Sequence, residues 1–301
     1  MNVETTKTTI RLGGSVNKIQ FFYSGKNIKL VVEHRGPEDA PMLLLLPALS
    51  TVSSRGEWRN FVDSIQDKYQ IISFDWPGFG DSDRPRLKYN IDILRSALSA
   101  IFDYLKQYKQ ENLTVMAAGH SACVVLSLAD DYSEKWEQLI LVAPTWRGPL
   151  PSMSSWHPKY FGWLRQIVSC PIIGPILYYI NTSRGILKYM LRRHVWCDIE
   201  LLTPTEILEQ QKLSRQPGAR FASVSFVSGG FDPSGERSWW LKKIRHLRCR
   251  LQVVVAMEAP ARSKREMQIL AEHAQQFLQI NGRLGLHQEF GKILSTKILS
   301  N

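Results

Sequence analysis

A mostly parallel, doubly wound α/β sheet with a helical insertion is the fold that this sequence predicts, and three observations carry the prediction. Short apolar runs at Met42–Leu46, stopped by Pro47, and at 69–74, stopped by Asp75 and Pro77, read as parallel strands covered on both faces. Stretches with apolar residues at helical spacing lie between such runs, so strand and helix alternate. After Pro144 the alternation breaks, and it resumes only at 251–257.

Taken in order, the β-rich runs 21–23 and 28–32 are split by Ser24-Gly25-Lys26-Asn27, which predicts a hairpin at the edge of the sheet. After the strand at 42–46, Trp58, Phe61, Val62 and Ile65 recur at helical spacing, and the strand at 69–74 follows. Ile91, Leu94, Leu98, Ile101 and Leu105 then form one apolar stripe of a longer helix. A strand at Leu113–Ala118, a helix at 122–129 and a strand at 139–143 complete the first half. Beyond the break, 251–257 reads as a strand, 263–275 as a helix and 277–280 as a last, short strand. A closing helix at 289–299 turns Phe290, Ile293, Leu294 and Ile298 inward. This gives a core of residues 1–145 and 221–301 with a helical cap inserted at 146–220; no internal repeat is present.

With 301 residues, 44% of them hydrophobic and 22% charged, the chain is long enough to bury one large α/β core. Residues 1–9 are polar and lack the apolar stretch of a secretory signal, which predicts a cytoplasmic chain. Cys123, Cys170, Cys197 and Cys249 are widely spaced, with no CxxC pair, so neither a disulfide framework nor a metal or cofactor site is expected. The net charge of +11 is unevenly spread. Between 147 and 197 stand Arg147, Lys159, Arg165, Arg184, Lys188, Arg192 and Arg193, without a single Asp or Glu. No nucleic-acid motif accompanies this charge, and the apolar residues around it argue against a base-reading surface.

The segment Gly119-His120-Ser121-Ala122-Cys123 falls between a buried strand and an apolar helix. A serine on such a turn stands clear of the sheet, with a helix N-terminus facing a developing oxyanion. Two further segments extend the pattern, Asp75-Trp76-Pro77-Gly78-Phe79-Gly80-Asp81-Ser82 and Leu45-Leu46-Pro47-Ala48-Leu49. Together they resemble the α/β-hydrolase superfamily over nearly the whole chain: the first is similar to its D-x-P-G-x-G-x-S turn, and the second falls where the family usually has a His-Gly pair. The resemblance implies an α/β-hydrolase fold with Ser121 as nucleophile, the N–H groups of Leu49 and Ala122 as oxyanion hole, and the insertion in place of the family's cap.

It also implies an acid after the strand at 251–257 and a histidine after the last strand, and there the chain departs from the family. The acid loop reads Met257-Glu258-Ala259-Pro260-Ala261-Arg262, with Glu258 its only carboxylate. The base loop reads Asn281-Gly282-Arg283-Leu284-Gly285-Leu286-His287-Gln288-Glu289, which puts Leu284 in the base position and His287 nearby. His120 neighbours Ser121, but adjacent side chains at such a turn diverge; His157 and His194 of the cap are further candidates for a base. A serine hydrolase that loses its base keeps only a small part of its rate acceleration.

Two readings therefore stand. One is a serine hydrolase of lipophilic carboxylic esters using Ser121, His287 and Glu258. The other is an inactive member of the fold that binds an apolar ligand or a protein partner at a membrane surface. Residues 147–197 suit an anionic membrane, because Trp156, Trp163, Tyr178, Tyr179, Tyr189 and Trp196 interleave with the cations, while the apolar run at 167–180 is too short to span and is interrupted by two prolines. A cap with solvated charges over a lipophilic cleft explains the same composition. The stretch Ala143-Pro144-Thr145-Trp146-Arg147-Gly148-Pro149-Leu150 and the Arg192-Arg193-His194 cluster resemble those of α/β-hydrolase-like proteins of cyanobacteria and plastids, which implies a photosynthetic membrane setting. Substrate and oligomeric state are not encoded in any motif.

Overall fold

A computed structural model describes residues 11–108, 112–234 and 236–299; the polar start at 1–9 lies outside them. Eight strands form one sheet in the order β1-β2-β4-β3-β5-β6-β7-β8, where β1 is Ser15–Tyr23, β2 Lys26–Arg35, β3 Met42–Leu46, β4 Gln70–Phe74, β5 Leu113–Ala118, β6 Trp136–Val142, β7 Arg250–Ala256 and β8 Gln276–Ile280. The first two strands form the expected antiparallel edge hairpin, β2 runs antiparallel to β4, and all later neighbours are parallel.

Sequence dictates this order simply. β3 and β4 are buried at every position because helices cover both faces of the sheet centre. The helix Ile91–Leu105 buries Leu94, Leu98, Ile101 and Leu105, and Asn90 caps that helix by accepting the Ile93 N–H at 3.3 Å. Trp58, Phe61, Val62 and Ile65 are buried as their spacing predicted, but Arg55–Trp58 and Arg59–Val62 make only two short turns of helix. The closing helix is Gly291–Leu299; Leu294 and Ile298 are buried, whereas Ile293 is exposed.

The loop after β4 is anchored by charge. The fully buried Arg55 bonds Glu33 at 2.7 Å, Asp81 at 2.9 Å and Asp75, while Arg11 holds Asp81 at 2.9 Å. Glu33 also accepts the Leu12 N–H at 2.7 Å, and Asp75 accepts those of Arg55 at 2.6 Å and Asp81 at 2.8 Å. Burial pushes the Asp75 carboxyl up, and Arg55 opposes that. Buried ions persist where each has partners, as these do.

Between β6 and β7 the chain runs through the insertion, whose helices include Pro149–Ser154, Gly162–Ser169, Ile173–Asn181, Arg184–Met190, Pro204–Ser214 and Ala219–Val227, before Arg237–Arg245 leads back to the sheet. Gly162–Ser169 and Ile173–Asn181 meet closely at Gly174, where a Cβ would stand 2.1 Å from the Val168 carbonyl oxygen. No described helix is long and apolar enough to cross a membrane.

Candidate functional site

The strand-to-helix turn after β5 sits at the C-terminal end of the sheet. Gly119 takes the left-handed backbone, φ +53°, and His120 is already right-handed helical at φ −75° and ψ −13°. The helix begins at Ser121 and runs to Ser127. A Cβ on Gly119 would come 3.1 Å from the Ala48 side chain, so position 119 points over the loop that follows β3.

Ser121 is completely buried. Its hydroxyl donates to the Pro47 carbonyl and accepts from the Trp76 indole N–H at 3.1 Å; the same N–H reaches the Pro47 carbonyl at 2.9 Å. No imidazole is among these partners. Of the two expected oxyanion donors, the Ala122 N–H turns back to the Gly119 carbonyl at 3.4 Å, and Leu49 lies buried one residue past Ala48. The Ala48 N–H donates to Glu57 at 2.9 Å.

His287 and Glu258 lie in separate surroundings. His287 is buried, with its Nε2 3.2 Å from Glu57 and its ring 4.9 Å from that of Trp58. Burial raises the Glu57 carboxyl, and the bond to His287 pulls against it. Glu258 is exposed, and its carboxylate bears on the thiol of Cys197. Leu284 is packed against the core, and its N–H donates to the His194 carbonyl at 3.2 Å. His157 accepts the Lys159 N–H at the cap surface. Ser121, His287 and Glu258 are thus not assembled through side-chain hydrogen bonds.

The structure brings together other groups instead. His120 turns toward the segment 226–232 that follows the cap: Nε2 is 3.3 Å from Asp232, Nδ1 is 3.9 Å from the Cys123 sulfur, and the ring meets Phe226 edge-on. Asp232 also accepts the Gly148 N–H at 2.9 Å. Burial pushes the Cys123 thiol well up, and Asp232 adds to the effect, so it stays protonated and a poor nucleophile. Neither Glu57 nor Asp232 lies in one of the segments that carry the family resemblance. The lone acid in the glycine- and aromatic-rich run Gly229-Gly230-Phe231-Asp232 was the only sequence hint of the second.

The sequence pattern of the alpha/beta hydrolase fold matches residues 41–222, more than half of the chain. The chain belongs to that family. One curated relative, a poly(3-hydroxyalkanoate) depolymerase from Ectopseudomonas oleovorans, is 31% identical over 83 residues, a stretch that spans 28% of this chain and 28% of the depolymerase. Among solved structures, Cfl2 from Burkholderia cenocepacia superposes with a TM-score of 0.71 at 20% identity, covering 98% of both chains. The enol-lactonase from Burkholderia xenovorans LB400 gives 0.66 at 14% identity, covering 91% of this chain and 96% of the other. At these identities the structural matches establish a shared fold, whose named members here include hydrolases.

Proposed function

We propose that this chain is a non-hydrolytic member of the alpha/beta hydrolase fold family that works by binding at an anionic membrane surface. The observation that carries the reading is the backbone at the elbow. In this fold the nucleophile sits on the strained turn between strand and helix. Here that strained residue is Gly119, which has no side chain, and the small flanking positions become Ala117 and Ser121. The Gly-x-Ser-x-Cys spacing imitates the motif two residues out of register. Ser121 then serves as the small, buried residue beneath the turn, its hydroxyl engaged with Pro47.

The neighbouring loops support the same reading. Leu284 stands where the family's histidine would, His287 is taken up by Glu57, and Glu258 faces Cys197. In a serine hydrolase, loss of the nucleophile or the base alone costs roughly 10⁶-fold in turnover. The depolymerase and the enol-lactonase are hydrolases by name; on this reading the chain keeps their scaffold without their chemistry.

What remains for function is the cap. Fourteen of the seventeen large apolar side chains exposed among the described residues lie between Met153 and Leu201, including Trp156, Trp163, Ile172, Ile176 and Tyr179. Most of that stretch falls in the acid-free run 147–197 with its seven cations. Aromatic and aliphatic groups that enter the headgroup layer, beside cations worth about 1 kcal/mol each near an anionic surface, match a bilayer and explain an exposure that would be costly in water. Lipophilic ligands would then be drawn from the bilayer.

Cosedimentation with vesicles tests the reading. Binding to vesicles rich in phosphatidylglycerol, absent with phosphatidylcholine alone, lost at high salt and weakened by Trp163→Glu or by R192E/R193E, is the expected result. Binding indifferent to lipid charge and to these variants, or ester turnover that vanishes in Ser121→Ala, would contradict it.

A further inference from the structure

A cavity of about 190 Å³ lies beside the candidate site, between the residues that follow β6 and the first turns of the helix Ala261–Ala271. Four arginines line it: Arg147, Arg237, Arg262 and Arg265. Its one acidic lining residue, Glu266, is already engaged, with its two oxygens held by Arg237 at 2.7 and 2.6 Å. Arg262 and Arg265 have no acidic partner among the described residues, so the lining carries positive charge in excess.

Two of the other guanidinium groups are held in place. Arg147 stacks 4.4 Å over the Trp146 ring, and Arg262 donates through Nη1 to the carbonyls of Ser152 and Met153 at 2.9 and 2.8 Å. A guanidinium carries five N–H donors in a planar fork, so these two bonds leave Arg262 donors in hand. Arg265 is exposed one turn further along the helix. Ser263, on the first turn of that helix, also lines the space, and the nearby helix N-terminus carries partial positive charge.

We infer that this cavity binds a phosphate-bearing ligand, a phosphomonoester or inorganic phosphate dianion. Tetrahedral phosphate oxygens accept paired bonds from guanidinium forks, and a doubly charged anion matches the two charges of Arg262 and Arg265. The volume, room for about six waters, holds a phosphate and the first atoms attached to it. In this chain the helix that follows the β7 loop brings Arg262 and Arg265 to the cavity on its first two turns. This inference uses only the cavity, so it stands or falls separately from the membrane reading.

The experiment titrates the whole chain with inorganic phosphate, with glycerol 3-phosphate and with phosphatidylcholine vesicles containing phosphatidic acid, at constant ionic strength, by calorimetry. Arg262→Gln and Arg265→Gln are each expected to weaken binding about tenfold, as for loss of a charge-assisted bond. Arg95→Gln, on the helix Ile91–Leu105, should leave it unchanged. Arg265→Gln alters only an exposed side chain, so its result does not depend on the helix-end contacts that Arg262 makes. Binding of the soluble phosphates with this arginine dependence supports the site and identifies a soluble ligand. A response to phosphatidic acid alone, with the same dependence, supports it and identifies a lipid headgroup. No response to any of the three, or binding indifferent to both substitutions, overturns it.

Discussion

Two sets of loops stand side by side at the C-terminal end of the sheet, and they have fared differently. The loop after β4 keeps its family residues, and each has a job: Asp75 and Asp81 share Arg55, and Ser82 donates to the Asp75 carbonyl at 2.7 Å while accepting the Val31 N–H at 2.9 Å. The loops after β5, β7 and β8, where this fold keeps its reacting groups, present Gly119, an exposed Glu258 and a packed Leu284. The contrast teaches that the Asp-Trp-Pro-Gly-Phe-Gly-Asp-Ser motif is architecture. Its interactions tie β2, β4 and residues 11–12 together, whatever the loops beside it do.

The largest effect should come from breaking the retained side. Arg55→Met leaves Glu33 and Asp75 buried without their common cation, and urea unfolding should show a loss of about 3 to 5 kcal/mol. A loss within the error of the measurement would mean that the network is incidental. On the other side, Gly119→Ala should cost about 1 to 2 kcal/mol, because an L-residue is strained at φ +53° and its Cβ would press on Ala48. Unchanged stability there would place the strained turn elsewhere.

The two sides also differed in how well they could be read from sequence. Long apolar runs fixed by burial on both faces were legible: β3 and β5 fall where their runs predicted, and β6 and β7 shift only at their ends. The register of the elbow was not. Gly-x-Ser-x-Cys satisfies a spacing rule, but which residue turns left-handed depends on where β5 stops, and Ala118 ends the strand one residue before the glycine. Long-range partners were equally hidden. Glu57 reaches His287 across 230 positions, and no local pattern announces such a pair.

The smallest effect distinguishes buried from exposed chemistry at the cysteines. Hydrogen bonds from backbone N–H groups of Ile173 and Ile172 lower the Cys170 thiol, whereas burial raises Cys123 well above its usual value and takes Cys197 and Cys249 up to about 11. Iodoacetamide at neutral pH should therefore label Cys170 first and Cys123 last, with rates about 100-fold apart or more. The sign of the linked stability follows. A folded thiol with a raised pKa holds its proton more tightly than the unfolded chain does, so stability is full below the unfolded value near 9 and falls as pH rises through the folded one. Cys123→Ala should flatten that alkaline decline; an unchanged slope would assign it to other groups.

The central claim, that Ser121 is a buried packing residue and not a nucleophile, is tested most directly by treating the native protein with an activated fluorophosphonate and mapping adducts by peptide mass spectrometry. No adduct at Ser121 above that of the heat-unfolded protein is expected. A stoichiometric adduct at Ser121, absent in Ser121→Ala, would contradict it.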